Sequence, residues 1–284
     1  MKDNKLAIVH DDYDGLISYL IYKKFVDENI SLEGVYKNCN ILSTKNEFNF
    51  DKINRYIGVD IDIELFESIG HHLQYQNLVN KEMCLNPNVK FGNDGAKDIQ
   101  VKCPFSTALL LVLEYPKAEE WFRRALMRRD IKTIALVLYA DNFYPYIWQR
   151  FLPNVSQWFK KYDKYQIFLD FIHLPKAIKD KIEEEMERIQ NDLSDCFTSN
   201  KQGKYSQKFQ SNKLQVALDI LKSNYLFVEG DEEFDSRRSI RFDYFEEEIS
   251  DELISRLTSE RLNGRLISHA VTSKKVINYT LRKG

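Results

Sequence analysis

Near its start the chain carries a short apolar run rich in branched residues, 5–9 (KLAIV), followed at once by the polar loop HDDYDG. From Gly15 the apolar positions Leu16, Tyr19, Leu20 and Phe25 fall at helical spacing, and residues 32–36 and 55–61 (RYIGVDI) then read as further strands. Strand, helix and strand at this spacing leave little choice of architecture. Two strands joined by a helical crossover run parallel, and a parallel sheet is covered on both faces. The expected fold class is therefore α/β, with a mostly parallel sheet flanked by helices.

From Pro104 to about Cys196 the signal is almost wholly helical, with Pro104 suited to a first helical turn and Pro153 and Pro175 punctuating later helices. Residues 176–192 are strongly charged with sparse apolar positions and read as a connecting helix. Beyond it, residues 225–228, 239–244, 265–271 and 275–281 read as strands, with helices at 213–221 and 247–258. The expected organisation is a catalytic domain over 1–173, a connecting helix and linker over 174–204, and a small α+β domain over 205–284. Charge in that last part is segregated, with 11 acids against 3 arginines over 229–252 and 7 Lys/Arg against 1 acid over 253–284.

Composition narrows the functional classes. The chain has 284 residues, only 10 glycines and no two of them adjacent, which excludes a glycine-rich phosphate cradle of the GxGxxG or Walker type. Its formal net charge of −2 gives no global basic field for long nucleic acid, so phosphate-handling charge has to be local. Arg123, Arg124, Arg128 and Arg129 form one such local cluster, to be read either as a cleft lining or as a solvated helix face. Cys39, Cys84, Cys103 and Cys196 lie far apart, without a CxxC pair, as expected of reduced thiols in the cytoplasm. The first residues become acidic too soon for a signal peptide, and no apolar run approaches the roughly 20 residues of a membrane span.

The residues that bring chemistry are acids and histidines. His10, Asp12 and Asp14 alternate after the first strand, so in an extended segment they project to one side. Three such groups at the carboxyl end of a strand suit a divalent cation, against the plainer reading of an acidic loop with Asp14 as helix cap. Asp60 and Asp62 end the RYIGVDI strand, and alternation allows only one of them to face a site. Gly70, His71 and His72 follow, and Asp141 closes the apolar stretch IKTIALVLYADNF.

In this order the clusters resemble the DHH phosphoesterases, a family that includes manganese pyrophosphatases, single-strand exonucleases, nano-RNases and cyclic-dinucleotide phosphodiesterases. His10-Asp11-Asp12-Tyr13-Asp14-Gly15 resembles the family's first motif, H-x-D-x-D-G, and Asp60 after its strand resembles the second. Gly70-His71-His72 resembles the third, Asp-His-His, with glycine in the place of its Asp. Asp141 resembles the fourth, and Cys103-Pro104-Phe105-Ser106-Thr107-Ala108 the helix start between the third and fourth. The resemblance spans about residues 5–145. The family's terminal GGGH-type stretch has no counterpart here, where Lys274, Lys275 and Arg282 are to be read either as phosphate contacts or as basic surface residues.

The resemblance implies two divalent cations, manganese foremost and magnesium as the alternative. His10, Asp12 and Asp60 would hold the first, and Asp14, Asp60, His71 and Asp141 the second. His72 would meet the scissile phosphate. The expected activity is hydrolysis of phosphodiester bonds in short single-stranded oligonucleotides, with a cyclic nucleotide or cyclic oligonucleotide as the alternative substrate. A catalytically silent nucleotide-binding protein is the expectation of another class.

Overall fold

The first apolar run forms strand β1, Leu6–His10, and the strands that follow in chain order are β2 (Ser31–Lys37), β3 (Asn40–Ser43), β4 (Tyr56–Val59), β5 (Glu67–Ile69) and β6 (Cys84–Leu85). Later come β7 (Phe197–Ser199), β8 (Tyr205–Phe209), β9 (Arg238–Arg241), β10 (Asp243–Glu248), β11 (Leu266–Val271) and β12 (Val276–Leu281). The computed structural model describes residues 4–37, 40–43, 50–140, 152–199, 205–226, 228, 238–241, 243–263, 265–271 and 275–282. The chain divides into two compact units, one of Met1–His10, Ile30–Cys103 and Phe234–Gly284, the other of Asp11–Asn29 and Pro104–Glu233.

The first unit is built on a seven-stranded sheet in the order β6-β5-β4-β1-β2-β3-β9. The five strands from β6 to β2 are parallel, with Leu6 of β1 opposite Ser31 of β2 on one side and Tyr56 of β4 on the other. β3 and β9 extend the β2 edge antiparallel. The central strands are buried along nearly their whole length, Ala7, Ile8 and Val9 among them, which explains why β1 reads as a continuous apolar run rather than an alternation. The α/β class with a mostly parallel sheet is thus what the structure shows.

A separate antiparallel sheet, β10-β12-β11, belongs to the same unit together with helix Asp251–Leu262. It joins the larger sheet through a bridge between Ile63 and Ser268, a hydrogen bond from Glu64 N to Ile267 O (2.8 Å), and the Tyr36 hydroxyl against the Ser268 and Thr280 hydroxyls (3.2 and 2.9 Å). Ile8, Tyr56, Ile61, Ile63, Phe66 and Ile267 form one apolar cluster there, each such side chain contributing roughly 1.5–3 kcal/mol by burial. Leu78, Leu253, Leu257, Leu266, Ile277 and Tyr279 form another, which holds the helix against its sheet.

Among the described residues the second unit is helical apart from the β7-β8 pair. Helix α1, Tyr13–Phe25, is buried at every position from Tyr13 to Tyr22, so its sequence is apolar nearly all round. Helix Thr107–Glu114 packs on α1, and helix Lys176–Asp192, expected as a connector, lies within this unit beside Ile131–Tyr139, burying Ile182, Met186 and Ile189.

Three local expectations differ from what forms. Residues 239–244 read as one strand but divide between β9 and β10, which belong to different sheets. Residues 222–226 form a π-turn continuing helix Leu214–Leu221, rather than the start of a strand, and bury Tyr225 and Leu226 as the helix would. Pro104 precedes its helix: Ser106, in extended backbone, is the N-cap and accepts from Leu109 N (3.1 Å).

Candidate metal centre

Four neighbouring parallel strands, β1, β4, β5 and β6, end on the same edge of the sheet and hand over to the residues of interest. His10 is the last residue of β1, Asp60 follows β4, Gly70-His71-His72 follows β5, and Asn86 follows β6. Asp60 N still donates to Ile69 O of β5 (2.8 Å), after which Asp60 takes a left-handed conformation, φ 60°. Asp enters that region at less cost than most residues, though an outlier of this kind still stores about 1 kcal/mol or more. The kink ends the strand's alternation. Asp60 and Asp62 are therefore both engaged, each with different histidines, instead of one facing away.

Asp60 is 2% exposed, with His10 Nδ1 at 3.6 Å from one carboxylate oxygen and His71 Nδ1 at 3.4 Å from the other. Burial by itself would raise its pKa, but the two imidazoles outweigh it and hold the carboxyl well below the usual carboxylate range. Asp62 faces His72. One of its oxygens lies 3.1 Å from His72 Nδ1 and 3.3 Å from His72 N, while the other accepts from Asn86 Nδ2 at 2.9 Å and faces Cys84 Sγ at 3.7 Å. Burial pushes the Cys84 thiol far up, which keeps it a protonated donor. The His71 and His72 rings stack at 4.7 Å between centroids, and His10 meets His72 edge-on at 6.5 Å.

At the start of α1 the roles of Asp12 and Asp14 depart from simple alternation. Asp12, not Asp14, is the N-cap, in extended backbone, accepting from Gly15 N at 3.1 Å. Asp14 sits in the first turn, 2% exposed, and accepts from Thr107 N (2.7 Å), Ala108 N (2.9 Å) and Ser18 Oγ (3.0 Å). It thus binds the N-terminus of helix Thr107–Glu114, where two buried amides without intrahelical acceptors and the helix dipole favour an anion.

Two groups of these residues could hold a metal ion: His10, Asp12 and Asp60, and Asp14, Asp60 and His71. Within each group the ligand atoms lie within 4.8 Å of one another. Asp60 is common to both. Asp141 lies outside the described residues, as does Lys274. Of the arginine cluster, Arg123 and Arg124 pair with Glu119 and Glu120 one turn back on helix Pro116–Arg128, and Arg129 caps that helix in the left-handed region. Arg124 and Arg128 nonetheless line a surface cleft with Phe25, Lys117 and Trp121, so the solvated-face reading covers only Arg123 and Arg129.

Asn86 and Asn88 escaped the sequence reading. Asn86 Nδ2 also donates to His72 O (2.8 Å), and Asn88 Nδ2 donates to His71 O (2.8 Å) while its oxygen accepts from Cys103 N (2.7 Å). Together they hold the backbone of the histidine pair from β6 onward. The signal was partly available, since Asn86 before Pro87 is a helix-cap pattern and Asn86 does cap the short helix Pro87–Lys90. No protein-family model matches the chain, and no curated protein matches it. Among the described residues no helix is long and apolar enough to cross a membrane.

Proposed function

We propose that this protein is a metal-dependent phosphodiesterase that uses two divalent cations to hydrolyse short single-stranded oligonucleotides. The observation that carries the reading is the pair of donor groups sharing Asp60, built on the carboxyl ends of adjacent parallel strands. The donor set fits the cations: imidazole nitrogens and carboxylate oxygens without thiolate suit manganese or magnesium. His10, Asp12 and Asp60 would hold one ion and Asp14, Asp60 and His71 the other. Ions held by these residues would supply Lewis-acid charge for an in-line displacement at phosphorus.

The remaining work falls to the chain's own groups. Asp60 stays ionised between His10 and His71 and so offers both oxygens. His72 is 37% exposed and has Nδ1 engaged by Asp62, which leaves Nε2 as the nitrogen that can take up a proton and pass it to the departing oxygen. A net charge of −2 favours short substrates, because binding long strands draws on many cations. Among the described residues Cys84, Cys103 and Cys196 form no disulfide, which suits a cytoplasmic setting.

A panel with Mn²⁺ tests the reading, comparing pApA, a long single strand, cyclic dinucleotides and pyrophosphate. The expected result is fastest turnover of pApA and none with Asp60→Ala. Faster turnover of a cyclic dinucleotide transfers the reading to that substrate. Protein that binds Mn²⁺ and nucleotide yet cleaves nothing is the silent binding protein instead.

A further inference from the structure

Asp62 is a buried carboxylate outside both donor groups, yet both its oxygens are engaged. One oxygen faces Asn86 Nδ2 and Cys84 Sγ, the other His72 N and His72 Nδ1. A carboxylate accepts only, so the His72 proton in this contact sits on Nδ1 and Nε2 is the free nitrogen. Gly70 completes the arrangement. A Cβ at that position would come within 2.6 Å of the Asp62 carboxylate carbon and of both its oxygens. No side chain fits there while Asp62 keeps its place.

We propose that Asp62 is the positioning residue of His72, fixing its ring and its Nδ1–H tautomer, and that residue 70 is glycine because the Asp62 carboxylate occupies the space beside it. The catalytic consequence rests on the phosphodiesterase reading, whereas the tautomer does not. Asn86 belongs to the same device, since its amide nitrogen spans Asp62 and His72 O while its oxygen is held by Asn88 N at 2.8 Å. That last bond prevents the Asn86 amide from flipping. An amide at position 62 would therefore have to turn its NH₂ toward either Asn86 Nδ2 or the His72 donors, and one side of the contact would be lost.

The test uses the full chain in Mg²⁺, with nitrogen NMR of His72 beside kcat and KM for pApA in Mn²⁺. Wild type is expected to show the Nδ1–H tautomer. Asp62→Asn, close in volume and retaining the fold, is expected to lose that tautomer preference and about 10- to 100-fold in kcat at unchanged KM. Gly70→Ala is expected to cause a similar loss, but to add little in the Asp62→Ala background, because the methyl then has nothing to displace. An unchanged His72 tautomer in Asp62→Asn, or full additivity of Gly70→Ala with Asp62→Ala, overturns the proposal. Inactive wild type with the tautomer pattern as expected removes the phosphodiesterase reading and leaves the positioning of His72 standing.

Discussion

Asp14 joins two roles in one side chain, and replacing it separates them. Its carboxylate accepts from Thr107 N at 2.7 Å, Ala108 N at 2.9 Å and Ser18 Oγ at 3.0 Å, all buried. In Asp14→Ala the serine hydroxyl can turn to the carbonyl one turn back on its own helix. The two amides cannot. Each buried unsatisfied N–H costs about 1–3 kcal/mol, and partial relaxation around the truncated side chain offsets part of the sum. The net expectation is a loss of about 2–4 kcal/mol in metal-free buffer, and about half of that for Asp14→Asn, which keeps one acceptor oxygen. Urea unfolding followed by tryptophan fluorescence measures it through the midpoint at fixed slope. Repeating the titration in Mn²⁺ reads the second role. Wild type should gain about 2.7 kcal/mol for each ion bound at a hundred times its dissociation constant, and Asp14→Ala distinctly less in total. Metal-free Asp14→Ala unfolding within about 0.5 kcal/mol of wild type would refute the reasoning, since the carboxylate could not then be holding the helix.

Glu64 and His269 lie buried 3.6 Å apart, with Arg261 Nε 3.8 Å from the other Glu64 oxygen; burial raises the Glu64 pKa to about 8 against the pull of Arg261 and lowers that of His269 to about 4. Glu64 resists ionisation in the folded state, so stability falls as pH climbs from its unfolded value near 4.5 to about 8. His269 acts oppositely, adding stability between about 4 and its unfolded value near 6.5. The two slopes cancel over their common window, leaving a net fall of roughly 1.4 kcal/mol per pH unit from about 6.5 to 8, which urea midpoints should show in wild type and not in Glu64→Gln. Gly95 (φ 60°) and Gly92 (φ 78°) both sit in the left-handed region, but a Cβ at Gly95 would lie 2.2 Å from the Tyr75 ring while one at Gly92 meets nothing within 4 Å. Gly92→Ala should therefore cost about 1 kcal/mol and Gly95→Ala at least about 1 kcal/mol more, and equal losses in thermal unfolding would contradict the Tyr75 contact.

What could be read in the sequence was whatever local periodicity encodes. β1, α1 and β2 follow from their apolar spacing, as do β11, β12 and the long helices of the second unit. β5 and β6 did not, because strands of three and two residues fall below any window in which alternation can be counted. Nor could the sequence show that residues 238–241 leave the terminal part to pair with β3, since that pairing is non-local and its evidence lies in hydrogen bonds alone. Within the site, His10, Asp12, Asp14, Asp60 and His71 were legible as residue types at the ends of strands. Their division of labour was not. It depends on a positive φ at Asp60, on α1 beginning at Tyr13, and on the asparagines after β6 that brace the histidine pair. Gly70 shows the limit most clearly: in sequence it is a missing carboxylate, and in space the carboxylate of Asp62 lies beside it.

The sharing of Asp60 by two donor groups is the claim on which the functional reading stands. Calorimetric titration of metal-free protein with Mn²⁺, paired with electron paramagnetic resonance of the loaded sample, addresses it directly. Wild type should bind two ions per chain with the spectrum of an exchange-coupled pair, and Asp60→Ala should lose both the coupling and tight binding of either ion. A single uncoupled ion in wild type, or unaltered stoichiometry in Asp60→Ala, would contradict it.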